Sequence, residues 1–220
     1  MKKTIFTLAA VATLFLGACK KDKDDNNNPG GKGDSYQPVT AGSVWKYRNT
    51  SFGEGASVDT STNTMLAETK NVNGKTYHIL NSVTGDETSQ GFIGVNGSVY
   101  SMYYEAGLNE AIALTYLNDA KNAGDNWTED LVVQDGETEF TVKVKTTIVE
   151  KGISKNILGK NYSNVIHSKV ELQVELEEGE WETLSQLDFY VAKGVGIIGI
   201  YSKFGDEDVS KSELFNYNIK

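Results

Sequence analysis

From Tyr36 onward the chain is dominated by apolar positions that recur every second residue, the pattern of strands with one face in a core and one in water. Phe140, Val142, Val144, Thr146 and Ile148 share one parity, and Thr141, Lys143, Lys145 and Thr147 the other. Val170, Leu172, Val174 and Leu176 alternate with Glu171, Gln173, Glu175 and Glu177, and Phe215, Tyr217 and Ile219 with Asn216 and Asn218. Turn signals part the runs at Asn73-Gly74, Gly85-Asp86, Asn96-Gly97, Asp135-Gly136 and Glu178-Gly179, residue pairs that supply the positive φ of tight hairpins. Asn96-Gly97, between Phe92–Val95 and Val99–Tyr104, is the clearest hairpin. The pattern predicts about a dozen strands in one all-β, antiparallel domain over residues 39–220. The stretch from Leu108 to Lys121 reads two ways: Leu108, Ile112 and Tyr116 have helical spacing, while Ile112, Leu114 and Tyr116 alternate.

Two landmarks recur. Gly42-Ser43-Val44-Trp45 is echoed by Gly124-Asp125-Asn126-Trp127 at an offset of 82, and Gly74-Lys75-Thr76-Tyr77 by Gly159-Lys160-Asn161-Tyr162 at an offset of 85. The near-equal offsets point to two related β-meanders, residues 40–118 and 119–220, each burying its apolar face against the other.

Ahead of the domain the pattern changes. Lys2 and Lys3 precede an apolar run from Ile5 to Leu16, too short for a bilayer span and shaped as a secretory signal over residues 1–18. Leu16-Gly17-Ala18-Cys19 resembles the lipobox of bacterial lipoproteins. That resemblance implies cleavage between Ala18 and Cys19 and a diacylated Cys19 holding the chain to a membrane. Cys19 is the single cysteine, so no internal disulfide competes for it, and two or more acyl chains give a firm anchor. Residues 19–38, rich in Lys, Asp, Asn and Gly, have little to bury and are expected to form a flexible tether. Asp22, Asp24 and Asn26 alternate as in a calcium loop, but Asn27 stands where that loop needs glycine. The lysines and acids just after Cys19 resemble the surface-export signal of Bacteroidetes lipoproteins, which implies the outer membrane and display on the cell surface, with a periplasm-facing position as the alternative.

The formal net charge of the 220-residue chain is −9, and loss of residues 1–18 with their two lysines takes it to −11. Such a surface repels phosphate backbones, so nucleic acid is not an expected partner.

Catalytic chemistry finds little support. The two histidines, His78 and His167, sit in strands beside apolar neighbours; a zinc site needs three or four ligands, and no metal or cofactor is expected. No Gly-x-Ser-x-Gly elbow or phosphate loop is present. Glu171, Glu175, Glu177, Glu178, Glu180 and Glu182 suggest a glycosidase pair, but they cluster about a hairpin turn and take its solvent parity. No catalytic residue is assigned. The aromatic residues Trp45, Tyr47, Tyr100, Tyr104 and Trp181 are the candidate ligand contacts, since aromatics on a sheet stack on sugars or receive apolar groups, although strands favour them for packing as well.

Four phrases, Gly42-Ser43-Val44-Trp45-Lys46-Tyr47, Gly124-Asp125-Asn126-Trp127, Gly159-Lys160-Asn161-Tyr162-Ser163-Asn164-Val165-Ile166 and Tyr190-Val191-Ala192-Lys193-Gly194-Val195-Gly196, resemble those of Bacteroidetes lipoproteins of unknown function. The last is also similar to a phrase of curved half-barrel sheets of the lipoprotein-carrier type. These resemblances imply a strongly curved sheet, a half-barrel or clamp or a sandwich-like pair, with an apolar concave side. The function expected is a non-catalytic envelope lipoprotein binding a glycan, lipid or peptide. The alternatives are an accessory subunit of an envelope protein complex and, behind it, a hydrolase.

Overall fold

The structure, a computed structural model, describes residues 33–105, 111–135 and 138–220, and the side chains of 104–105, 111–112, 133–135 and 138–140 lie outside the description. The expected signal segment, Ala18, Cys19 and the tether as far as residue 32 fall outside the described residues. Twelve strands follow in chain order: β1 (Val44–Ser51), β2 (Val58–Val72), β3 (Lys75–Thr84), β4 (Glu87–Asn96), β5 (Val99–Glu105), β6 (Ala111–Asn118), β7 (Asn126–Asp135), β8 (Thr138–Ile157), β9 (Lys160–Glu177), β10 (Glu180–Ala192), β11 (Gly196–Phe204) and β12 (Glu207–Asn218). The region with two readings is the strand β6: its pairing with β5 from Glu105↔Ala111 to Val99↔Asn118 satisfies the backbone and outweighs the spacing of four.

All twelve strands form one antiparallel sheet in the order β6-β5-β4-β3-β2-β1-β12-β11-β10-β9-β8-β7. A single sheet decides against the sandwich. The described chain enters and leaves at its centre, where β1 pairs with β12, and the edges are β6 and β7. Bulges bend the sheet. They interrupt β1–β12 at Lys46/Tyr47, β2–β3 at Met65/Thr69, β10–β11 at Tyr190/Val191, and β8–β9 at three places between Ile148 and Lys155.

The curl brings the edges together without pairing them. Strand β6 lies across the inner face of β8 and β9: the Thr146 hydroxyl donates to the Thr115 carbonyl at 3.0 Å, and the Ser168 hydroxyl donates to that of Tyr116. The Tyr116 ring stacks on Phe189 of β10 at 5.1 Å. Toward β7, the Thr115 hydroxyl donates to Glu129 at 3.0 Å. The concave side holds the main core, from Trp45 and Met65 through Tyr116, Ile148 and Phe189 to Leu214. Tyr77, Phe92 and Tyr103 form a smaller cluster on the opposite face. It depends on Gly94, where a Cβ would come within 2.9 Å of the Tyr77 ring.

The two halves repeat one turn. The Gly42 amide donates to Met65, the Ser43 amide to Thr40 and the Met65 amide to Ser43, at 2.8, 3.1 and 2.9 Å. In the second half the Gly124 amide donates to Ile148, the Asp125 amide to Asn122 and the Ile148 amide to Asp125, at 2.8, 3.1 and 2.9 Å. Gly42 and Gly124 carry φ of 78° and 91°, and the second residue of the strand that follows is Trp45 in one half and Trp127 in the other. A bulge follows Met65 in β2 and Ile148 in β8. Tyr77 and Tyr162 are each the third residue of their strands, but Tyr77 packs in the smaller cluster and Tyr162 in the main core.

The expected tether does not run to residue 38. Tyr36, Gln37 and Pro38 are buried. The Tyr36 amide donates to the Tyr100 hydroxyl at 3.3 Å, the Gly194 amide to the Ser35 carbonyl at 2.8 Å, and Asp34 meets Lys193 at 2.9 Å. The segment lies as a strap across one end of the half-barrel.

Candidate functional site

A cleft opens on the concave face beside the strap. Trp45 and Tyr47 of β1, Leu80 of β3, Ile93 of β4, Met102 of β5, and Ile197 and Ile200 of β11 give it apolar walls. One wall is polar, with Asn49 of β1, Ser61 and Asn63 of β2 and Ser212 of β12, and Gln37 of the strap closes an end. These residues converge because β1, β2 and β12 are sheet neighbours and the register sets Trp45 opposite Asn63, Tyr47 opposite Ser61, and Asn49 opposite both Asp59 and Ser212. Side chains directly opposite in a ladder point to the same face.

The aromatic walls are fixed by long-range bonds. The Trp45 indole donates to the Val195 carbonyl at 2.7 Å and the Tyr47 hydroxyl to the Ile197 carbonyl at 2.8 Å. Burial, with Tyr162 nearby, pushes the Tyr47 phenol well above its ordinary range. In the polar wall, the Asn49 amide donates to Asp59 at 3.0 Å and to Ser61 at 3.2 Å, and its carbonyl accepts from Ser212 at 2.8 Å. Burial raises the Asp59 carboxyl above its usual range, opposed by the bond from Asn49. Asn63 differs: it is 5 % exposed and its carbonyl oxygen has no hydrogen-bond partner. Gly91 of β4 lines the cleft with open space where a Cβ would stand. The cavity volume is about 50 Å3.

Of the candidate aromatics, Trp45 and Tyr47 face the cleft. Tyr100 is a core residue, 2 % exposed, whose hydroxyl donates to Asp119 at 2.9 Å and accepts from the strap; its role is to seat the strap. Trp181 lies away from the cleft under the Lys143 ammonium, 3.6 Å from the ring centroid. The Tyr104 side chain lies outside the described residues. Sequence reasoning passed over Asn49, Ser61, Asn63, Gly91 and Ser212.

Among the described residues no group of three His, Cys, Asp or Glu side chains is arranged to hold a metal. His167 pairs with Asp188 at 2.7 Å on the face opposite the cleft core, and stacks on Tyr190 at 4.4 Å. Burial would raise the Asp188 carboxyl, but the bonds from His167 and Gln186 and the charges of His167 and Lys169 hold it below its usual range. The neighbouring Ser168 hydroxyl points inward to the Tyr116 carbonyl, so it is not presented to this pair.

No family model matches the chain, and no curated protein matches it. Solved structures do. An exported protein of Bacteroides fragilis described as having a YmcC-like fold matches with a TM-score of 0.51 at 12 % identity, over 82 % of this chain and 97 % of that one. A protein of Parabacteroides distasonis described as a lipoprotein matches with a TM-score of 0.50 at 9 % identity, over 83 % and 98 %. At these identities the likeness is one of fold.

Proposed function

We propose that the protein is a lipid-anchored lipoprotein of the cell envelope that holds one slender amphipathic ligand in its concave cleft, without transforming it. The observation that carries this is Asn63. A buried polar atom without a partner costs about 1–3 kcal/mol, and the Asn63 carbonyl stands so at the edge of an apolar cleft that opens to solvent. A bound group would satisfy it. The volume supports a narrow ligand: a water-sized group takes about 10–15 Å3 on this measure, so the cavity admits roughly three to five. A lipid-like chain fits better than a sugar or a peptide, because most of the lining side chains are apolar.

Gly91→Leu tests this without disturbing the sheet. The new side chain meets open space and fills the cleft, and loss of a strand glycine favours the fold by about 0.5–1 kcal/mol. Protein purified from its own membranes and extracted with organic solvent releases an amphiphile detected by mass spectrometry. The variant, with an unchanged or higher melting temperature, releases none. Equal release from both, or release from neither, overturns the proposal.

The anchor rests on Leu16-Gly17-Ala18-Cys19, and outer-membrane, cell-surface display on the lysines and acids that follow. Cys19→Ser moves the protein from the membrane to the soluble fraction, and the intact mass of the native form begins at an acylated Cys19. A variant that stays membrane-bound refutes the lipid anchor. Added protease cleaves the native protein on whole cells if it is displayed outward, and spares it if it faces the periplasm.

A further inference from the structure

We infer that Asn63 is a specificity residue and that the cleft selects a head group that donates a hydrogen bond and carries no negative charge, such as a hydroxyl or a carboxamide, on a single apolar chain. The inference rests on the cleft-binding reading above and adds the chemistry of the head. Asn49 and Asn63 face the same space, but the Asn49 amide is engaged at both ends, by Asp59 and Ser61 on one side and Ser212 on the other. Asn63 carries an unpartnered oxygen while 5 % exposed. That oxygen is an acceptor, so it matches a head that carries an O–H or N–H donor.

Charge narrows the choice. No Lys, Arg or His lines the cleft. The Asp59 carboxylate adjoins the cleft through Asn49, whose amide it accepts. A carboxylate or phosphate head would lose its hydration, find no cation and meet Asp59. An ion buried without a partner is far costlier than a neutral polar group with one. Leu80, Ile93, Met102 and Ile200 line the same cleft, so the head turns to Asn63 and the chain lies on these side chains.

The test uses the full-length lipidated protein in lipid nanodiscs, with empty nanodiscs as the blank. Hexan-1-ol, hexanamide and hexanoate are titrated at equal free concentration, and binding is read from tryptophan emission, to which Trp45 in the cleft wall responds. The alcohol and the amide bind at least about tenfold tighter than hexanoate, as expected when one head finds a partner and the other is an unpaired ion. Asn63→Leu weakens the alcohol about five- to tenfold, the effect of one hydrogen bond, and leaves the melting temperature within a few degrees. Asn63→Ser, which retains a hydroxyl, keeps part of the affinity. Hexanoate binding as tightly as the alcohol overturns the head-group inference and leaves the cleft reading standing. Absence of any change in emission with all three ligands overturns the cleft reading itself. Unaltered alcohol affinity in Asn63→Leu removes the role of Asn63.

Discussion

Truncating Trp45 to alanine lowers the melting temperature by about 10 °C, several times the shift expected for Trp127→Ala. The two tryptophans follow the same glycine turn with the same three backbone bonds, so local structure does not separate them. Their surroundings do. Trp45 is 2 % exposed at the junction of strap, β1 and β11, and its indole holds the Val195 carbonyl at 2.7 Å. Its removal leaves a cavity and takes away that carbonyl's indole donor. A buried Trp→Ala change costs about 3–5 kcal/mol, and for a domain of this size each kcal/mol is worth about 2–4 °C. Trp127 is half-buried on the edge strand β7, and about 1 kcal/mol is the scale of its loss. Thermal melts of the two variants decide the matter. Equal shifts mean that the repeated turn, rather than the closure of the half-barrel, sets the contribution of each indole.

What was legible in the sequence was local. Asn73-Gly74 and Asn96-Gly97 fix their hairpins because the turns need positive φ, and Asn73, Gly74 and Gly97 have it. Strand parity could be read for β8 and β9 because one face is apolar. Curvature was not read from periodicity; it comes from bulges, such as the three between Ile148 and Lys155, and a bulge exchanges the faces of the strand beyond it. For that reason the identity of an aromatic does not give its place. Trp45 lines a cleft, Tyr100 seats the strap and Trp181 sits under a lysine, yet each is the first aromatic of its strand.

The polar wall escaped for a related reason. The start of β2 reads Val58-Asp59-Thr60-Ser61-Thr62-Asn63-Thr64, polar at both parities, so neither face announces itself. Asp59, Ser61 and Asn63 are buried, whereas Thr60 is exposed and Thr62 and Thr64 are partly so. A strand in the middle of a sheet that lacks an apolar parity has to face something polar on its inner side. That missing alternation was the available signal. The strap shows the converse: composition suggested a tether, yet Tyr36, Gln37 and Pro38 are buried and Asp34 and Ser35 are bonded to Lys193 and Gly194.

Alkaline conditions destabilise the protein more steeply than its acidic composition suggests. Burial pushes the Tyr47, Tyr162 and Tyr201 phenols well above the ordinary value, helped by Tyr162 beside Tyr47, Tyr217 beside Tyr162 and Glu213 beside Tyr201. The folded state therefore holds these protons more tightly than the unfolded chain. Their contribution is intact below the unfolded pKa of about 10 and is lost as pH rises above it. Above that value the unfolded chain gains about 1.4 kcal/mol per pH unit for each tyrosine, or about 4 kcal/mol for the three near pH 11. Urea midpoints at neutral pH and near pH 11 measure the loss, and two substitutions divide it. Tyr162→Phe removes a hydroxyl that is buried without a partner, so at neutral pH it is neutral or stabilising by about 1 kcal/mol, and it removes about a third of the alkaline loss. Tyr47→Phe removes a similar share, but costs about 1 kcal/mol at neutral pH because the bond to the Ile197 carbonyl goes with it. Opposite signs at neutral pH with a shared gain at high pH are the signature of buried neutral phenols; an alkaline loss unchanged in Tyr162→Phe would place its origin in other groups, such as the Tyr201 phenol or the surface lysines.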